Sequence, residues 1–534
     1  MGRGSSSEAR TSQVEREVKL GVWPGFRLPE LDDLGDGLHA AERPARDLDA
    51  TYYDTPDLRL ARAGVTLRRR SGEGWTLKLP TGEGTSEMLS RRELTAGGGL
   101  GEEDGAIPEE LSTLVVAWVR TSSLGPVARL HTLRRSVNLL DGLGLVAAEI
   151  VDDEVSVLHG DRLALRFREV EVELGRRADS ELLDVIVAHL RSAGANLADP
   201  TPKVVRALGP RASDPPELAD PDDEDKGTAA GVIRSGLRSS ARRLLAHDAG
   251  VRLGDDPEDV HQARVATRRL RSDLRTYKPL LDEEWAKDLR SELKWIAAGL
   301  GEVRDADVLL EGFQAGVAGL GPLDAQSADY LLGRLHDQRT AARERLLGML
   351  ADRRYALLLD RLVDAMEPHR PEHVPAVPAG APAVISSGLG WLRPEAEGPA
   401  EEVLPTLVRK PWKHLLQAAE AVEPDGPDEE LHQVRIRAKR CRYAAEVAAM
   451  AVGKPAKRLA RAVADLQDVL GEHQDAVVAE AWLRSVAHEL TPAEALVAGQ
   501  LIAGQRTIAA RTRGSWPEAW DRASRRKLRG WLTE

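Results

Sequence analysis

The sequence predicts a multidomain α+β protein, an antiparallel β-barrel followed by an all-α domain of two pseudo-symmetric helical bundles. Three observations carry this expectation. Segments with a two-residue charge period, separated by turn signals, run as far as about residue 174. From about residue 228 the pattern changes to long helices rich in Ala, Leu and Arg. That helical region then repeats itself at a nearly constant offset, the mark of a duplicated unit.

The first strand is VEREVKL, which puts Glu15, Glu17 and Lys19 on one face and Val14, Arg16, Val18 and Leu20 on the other. Alternate side chains of a strand stand about 7 Å apart on one face, so three ionisable groups form an ordered row. VTLRRR then sets Thr66, Arg68 and Arg70 together, and WTLKLP pairs Thr76 with Lys78. RLHTLRRSVNLL offers Thr132, Arg134, Ser136 and Asn138; VAAEIVDDEV brings Glu149, Asp152, Asp153 and Glu154. FREVEVEL aligns Glu169, Glu171 and Glu173. GEGW, TGEG and DGLG between the runs read as turns, so the strands are antiparallel and joined by hairpins.

If these faces close into one barrel, acids gather on one wall and Arg and Lys on another. Carboxylates that repel one another are stabilised by hard cations such as Mg²⁺ or Mn²⁺ through oxygen ligation. Facing cations suit a phosphate chain, with Arg giving planar bidentate contacts. The bland alternative is an open sheet whose charged faces meet water. The number of strands with one-sided charge speaks against it.

The E-x-E-x-K opening, the L-R-R-R strand, T-L-K-x-P, SRRELT, the late E-x-E and the closing PTPKVVRAL resemble the CYTH family, the triphosphate tunnel metalloenzymes. The resemblance spans roughly residues 12 to 210. It implies a small antiparallel barrel with a cationic tunnel that takes triphosphates and a divalent metal, Mg²⁺ or Mn²⁺. Carried over by motif, Glu15, Glu17, Glu169 and Glu171 are metal ligands, with Glu173 a further candidate. Lys19, Arg68, Arg70, Lys78, Arg134 and Lys203 bind phosphate, and Glu15, Glu17 and Lys19 form the catalytic set. One strand departs from the pattern: RLHTLRRSV has His131 and Leu133 where the family carries a denser basic run, leaving Arg134 and Arg135 both open as the phosphate ligand.

At 534 residues the chain exceeds one ordinary core. Its net charge of −12 argues against nonspecific nucleic-acid binding by the whole protein. No apolar run is long enough to span a membrane. The single cysteine, Cys441, excludes an intramolecular disulfide and fits a reducing cytoplasm. MGRGSSSEAR lacks a signal-peptide core; its match to a myristoylation pattern at Gly2 and Ser6 is one that Gly/Ser-rich starts produce by chance. Expected domains are a disordered stretch over 1–12, the barrel domain over 13–210, an acidic Pro-rich linker over 211–227, and the helical domain over 228–534. A second Pro-rich stretch, from about Glu367 to Pro405, separates helical halves of about 228–366 and 405–530.

VHQARVATRRLRSDL matches LHQVRIRAKRCRYAA, His432 following His261 by 171 residues; GLGEVRDADVL matches VLGEHQDAVVA, Gly471 following Gly301 by 170. His261, Arg264, Arg268, Arg271 and Arg275 fall on one helical stripe, and His432, Arg435, Lys439 and Arg442 repeat it. Like charges at such spacing cost a few tenths of a kcal/mol per pair, so a chain that stacks them twice is built to hold a polyanion. The bland alternatives are a solvated face or an internal salt-bridge seam. His261 has no neighbouring donor at metal-ligand spacing.

This region resembles the CHAD domain, a helical module named for its histidines, over roughly residues 228 to 530. The resemblance implies binding of inorganic polyphosphate in a basic groove between the halves. The combined expectation is a cytoplasmic, metal-dependent inorganic triphosphatase with a polyphosphate-binding domain, acting on triphosphate or short polyphosphate. Thiamine triphosphate, nucleoside triphosphates and ATP cyclisation are alternative chemistries for the same tunnel, and a non-enzymatic polyphosphate receptor is an alternative of another class. No membrane or nucleic-acid partner is expected.

Overall fold

The computed structural model describes residues 11–32, 34–35, 37–81, 88–96, 106–175, 177–196, 199–219, 227–366 and 390–532. The chain divides into two compact units, 1–217 and 218–534. Of the stretch expected to be disordered, residues 1–10 lie outside the described residues, and Thr11 already opens the first strand.

In the first unit the described strands are β1 (Thr11–Gly21), β2 (His39–Glu42), β3 (Arg46–Asp54), β4 (Thr66–Arg70), β5 (Gly74–Pro80), β6 (Met88–Ala96), β7 (Gly125–Leu140), β8 (Val146–His159) and β9 (Arg162–Leu174). All pairings are antiparallel, in the order β7-β3-β4-β5-β6-β1-β9-β8, and β8 pairs back to β7. The ring is therefore closed at eight strands, with β2 added outside on β7. Closure removes the sheet edge and forces one face of every strand inward.

The register aligns the charged rows. Lys19 lies opposite Glu171 and Glu17 opposite Glu173 across β1 and β9. Glu15 faces Arg91 on β6, Lys78 on β5 faces Glu93, and Tyr52 on β3 faces Arg68. On the outer face, Val18, Leu20, Val170, Val172 and Ile150 pack under α4 (Ser180–Ser192) through Leu183, Ile186 and Leu190. Three one-turn helices, α1 (Arg59–Arg62), α2 (Glu109–Ser112) and α3 (Val116–Val119), lie in the connections before β4 and β7.

The closing PTPKVVRAL forms α5 (Lys203–Leu208). Its Val204 and Val205 pack on the apolar inward residues Ala50, Leu130, Val155 and Val157, so an apolar plug floors one end of the barrel. Residues 211–217, read from the sequence as linker, fold onto the same unit. Ala212 is buried, Arg62 donates to the Pro215 carbonyl, and Glu217 accepts from Arg120 at 2.7 Å. Sequence composition missed this because Arg120, the anchoring partner, is 97 positions away.

The second unit contains α6 (Ala229–Leu253), α7 (Pro257–Thr276), α8 (Glu283–Val317), α9 (Pro322–Ser327), α10 (Asp329–Ala351) and α11 (Arg353–Met366). After the undescribed 367–389 come α12 (Ala400–Glu420), α13 (Asp428–Val452), α14 (Lys454–Val486) and α15 (Pro492–Ala523). α12 begins five residues before the expected 405, and Pro405 and Pro411 lie inside it. Consecutive long helices pack pairwise in both halves: α6, α7, α8 and α10 in one, α12 to α15 in the other. Between halves, α6 meets α12, α7 meets α13 and α8 meets α14. Equivalent helices meeting one another is what a twofold relation requires.

Candidate active site and anion cluster

The inward rows of the barrel enclose a cavity of about 120 Å³. Of the residues expected from sequence, Glu15, Glu17, Lys19, Arg68, Arg70, Lys78, Arg134, Glu171 and Lys203 line it. Arg134, not Arg135, faces the interior, because strand parity places Arg134 across from the inward Asp153. Tyr52, Arg91, Glu93 and Glu173 also line the cavity. Arg91 and Glu93 were legible as an alternating pair inside SRRELT; Tyr52 carried no charge signal.

Glu169, expected as a metal ligand, keeps both carboxylate oxygens buried without a hydrogen-bond partner. It is fully buried and does not line the cavity; Lys203 lies 3.0 Å away and Arg206 3.5 Å away. The α5 plug that carries both cations closes over it. Glu173 does line the cavity, and its carboxyl is pushed up to about 7 by burial and then by the Glu15 charge.

Cations interleave with the acids. Lys78 pairs with Glu15, and with Glu93 at 2.8 Å. Lys19 pairs with Glu171, and with Glu17 at 3.5 Å. Lys203 reaches Glu171 at 2.8 Å and Asp153 at 2.9 Å, and Arg134 forks onto Asp153 at 2.6 and 2.9 Å. Burial works against the Glu171 charge, but Lys19, Lys203 and Arg134 hold its carboxylate well below the usual range.

Opposite this wall, Arg68, Arg70 and Arg134 crowd together. Burial, then Arg68 and Arg134, depress the Arg70 guanidinium. The Nε atoms of Arg68 and Arg70 are buried without a hydrogen-bond partner. Burial opposes ionisation of Tyr52, yet Arg68, Arg70 and Lys203 bring its phenol below the ordinary value. Buried donors with no acceptor and mutual repulsion describe a seat for an anion.

Among the described residues no three His, Cys, Asp or Glu side chains form a ready metal cage. The donor chemistry nevertheless suits a hard cation: Glu15, Glu17 and Glu173 are oxygen donors on adjacent strands, and burial together with carboxylate neighbours raises both Glu15 and Glu173.

In the second unit the two stripes meet where α7 packs on α13. Arg435 and Lys439 feel the charges of Arg264 and Arg268; Lys439 is pushed down to about 7 by burial, then by Arg435, Arg268 and Arg264. The repeated Gly/Asp motif holds the arginines in place twice over. Arg264 meets Asp305 at 3.0 Å and Arg435 meets Asp475 at 3.9 Å. A Cβ on Gly301 would lie 3.7 Å from the Arg264 Nε, and one on Gly471 3.8 Å from an Arg435 terminal nitrogen. The Nε atoms of Arg268 and Arg435 are buried and unpartnered. His261 is depressed by burial and by Arg304, Arg268 and Arg264, while His432 Nδ1 lies 2.6 Å from the Gln474 side-chain oxygen.

The stripe is not uniform. Arg271 and Arg275 sit with Arg290. Arg442, expected to bind phosphate, donates to Glu446 at 2.7 Å. The acid that claims it comes from the next turn of its own helix.

A CYTH domain model matches residues 13–200 and a CHAD domain model residues 235–484. The chain is a CYTH–CHAD protein. An uncharacterized protein of Mycobacterium tuberculosis is 33% identical over 513 residues, covering 89% of this chain and 88% of that protein. A thiamine-triphosphatase of Macaca fascicularis is 40% identical over 85 residues, 16% of this chain and 34% of that enzyme. The CHAD domain of the plant Ricinus communis covers 57% of this chain and 94% of its own, at 23% identity and a TM-score of 0.43. CYTH proteins are triphosphate-tunnel hydrolases or cyclases and are metal-dependent, usually with Mg²⁺ or Mn²⁺. Among the described residues no helix is long and apolar enough to cross a membrane.

Lys439 gives this CYTH–CHAD chain a pH signature. A lysine depressed to about 7 in the fold but ordinary when unfolded binds more protons unfolded, so it adds stability as pH rises from about 7 towards 10. A bound polyanion reverses the preference, because it stabilises the ammonium. If the helical domain takes up polyphosphate, its affinity is expected to fall as pH rises through about 7, with proton uptake on binding. Calorimetry in buffers of different ionisation enthalpy measures that uptake; none in the wild type, or equal uptake in Lys439→Met, contradicts it.

Proposed function

We propose that the protein is a metal-dependent inorganic triphosphatase, acting on triphosphate or short polyphosphate, whose helical domain binds inorganic polyphosphate. The observation that carries the reading is the closed barrel with Arg68, Arg70 and Arg134 crowded opposite Glu15, Glu17 and Glu173, the first two with unpartnered Nε atoms. Pure polyanion binding has no use for a wall of buried carboxylates. Among the described residues the lining holds one aromatic ring, Tyr52, which favours a bare phosphate chain over a substrate with a base or thiazole.

In this reading Arg68, Arg70, Arg134 and Lys203 hold and orient the phosphates, and the α5 plug keeps bulk water from one end. Phosphate oxygens compete for Lys78 and Lys19, which loosens the hold of these lysines on Glu15 and Glu171. Mg²⁺ or Mn²⁺ held by Glu15, Glu17 and Glu173 would supply charge neutralisation at the phosphoryl oxygens. Positioning and electrostatics then carry most of the acceleration. The buried, lone Cys441 is consistent with a cytoplasmic setting.

A phosphate-release screen over triphosphate, longer polyphosphate, ATP and thiamine triphosphate, with Mg²⁺ and Mn²⁺, tests the proposal. The short match to a thiamine-triphosphatase favours thiamine triphosphate as the second reading. Fastest turnover of that compound would establish it, and no release from any substrate would favour a receptor. Lys19→Ala and Arg70→Ala are each expected to raise KM at least about tenfold, a loss of roughly 1.4 kcal/mol of binding, since both hold charge present in ground and transition states. An unchanged KM in both removes the phosphate wall.

A further inference from the structure

The duplication places two equivalent groups of side chains beside the central cluster, and the sequence treats them differently. Aligned by the repeat, Arg269 corresponds to Arg440, Arg271 to Arg442, Asp273 to Ala444 and Arg275 to Glu446. One group therefore combines Arg269, Arg442, Asp273 and Glu446. Arg269 pairs with Glu446 and with Asp273 at 2.9 Å, and both arginines lie over the Tyr443 ring, at 5.1 and 5.7 Å. That group is neutral, its arginines paired with its acids.

Its twin has Arg440, Arg271 and Arg275, with Ala444 and Arg275 at the positions where acids stood. Arg290 from α8 and Arg437 from α13 add to it, and Arg440 feels Arg275, Arg437 and Arg290. Among the described residues none of these five guanidiniums has a carboxylate within ion-pair distance, and the Arg290 Nε is buried without a partner. The twins differ in state: Arg269 is held above the ordinary value, while burial and then Arg275 push Arg440 down to about 10. Five like charges at half-buried or exposed positions on three helices repel one another, and an anion shared among them relieves that repulsion.

We propose that Arg271, Arg275, Arg290, Arg437 and Arg440 form a second phosphate-binding subsite on one side only of the pseudo-symmetric centre, taking the part of a polyphosphate chain that extends beyond Arg264, Arg268, Arg435 and Lys439. The inference rests on the reading that the helical domain binds polyphosphate. The polymer then runs off the centre in one direction, and chain length is sensed there: tripolyphosphate is satisfied by the centre, a long chain reaches both.

The test measures binding of tripolyphosphate and long-chain polyphosphate to the full chain across a salt series. Arg290→Gln with Arg440→Gln is expected to lower long-chain affinity at least about tenfold and flatten its salt dependence, because fewer counterions are released. Tripolyphosphate affinity stays within twofold, and the barrel's own contribution is common to every variant. The charge-matched control Arg334→Gln with Arg345→Gln, at exposed arginines already paired with acids, leaves both affinities within twofold. Melting temperature is unchanged or higher in the test variant, since like-charge repulsion is relieved. Unchanged long-chain binding, or equal loss for both ligands with a lower melting temperature, overturns the subsite. A wild-type protein that binds long polyphosphate no better than tripolyphosphate, or neither, overturns the polyphosphate reading of the domain and this inference with it.

Discussion

Glu15→Gln and Glu17→Gln are each expected to abolish metal-dependent phosphate release while leaving the fold intact. Each substitution removes one negative oxygen donor from the wall that Glu173 completes, at nearly constant volume. The fold survives because the cationic partners keep other acids: Lys78 retains Glu93 at 2.8 Å, and Lys19 retains Glu171. In Glu15→Gln the repulsion on Glu173 also falls, since Glu15 is the leading charged neighbour that raises it. The expected loss in kcat is about a hundredfold or more, roughly 2.7 kcal/mol in the barrier. Retention of more than about a tenth of the wild-type kcat in both variants counts against their role as ligands. Circular dichroism and melting curves separate a lost site from a lost fold.

Charge reversal in the helical domain comes next in size. Arg264→Glu with Arg268→Glu, and separately Arg435→Glu with Lys439→Glu, are each expected to cut long-chain polyphosphate affinity by about a hundredfold at low salt, with the two losses equal within a few-fold. The expected equality rests on the two pairs being related by the repeat and facing one another, each with an aspartate nearby, Asp305 at 3.0 Å and Asp475 at 3.9 Å. Each reversal exchanges two attractions for two repulsions, and salt screens both. A loss confined to one pair means that the other copy is structural. No loss from either means that the stripes are salt-bridge seams.

Legibility differed between the two sites for a physical reason. Alternation along a strand is a local property of the pleat, so one reading of VEREVKL, VTLRRR and FREVEVEL is enough to place Glu15, Glu17, Lys19, Arg68, Arg70 and Glu171 on single faces. Helical spacing does the same for Arg264, Arg268, Arg435 and Lys439, and the two offsets of the repeat reveal the duplication. The sequence by itself therefore determined which residues share a face and which segments are copies.

Only the tertiary structure decided what each face meets. Closure of β8 onto β7 turned charged faces inward and selected Arg134 over Arg135. The α5 plug removed Glu169 from the cavity by bringing Lys203 and Arg206 onto it, and the β1–β9 register put Glu173 beside Glu17 instead. Tyr52 entered the site through pairing with Arg68, a contact no local pattern announces. In the helical domain Arg271 and Arg442 occupy equivalent positions in the repeated motif, yet Glu446 neutralises one while Arg440 and Arg290 surround the other's stripe. Periodicity belongs to a single element, whereas ion pairing depends on which elements touch, and that is set by packing between residues distant in the chain.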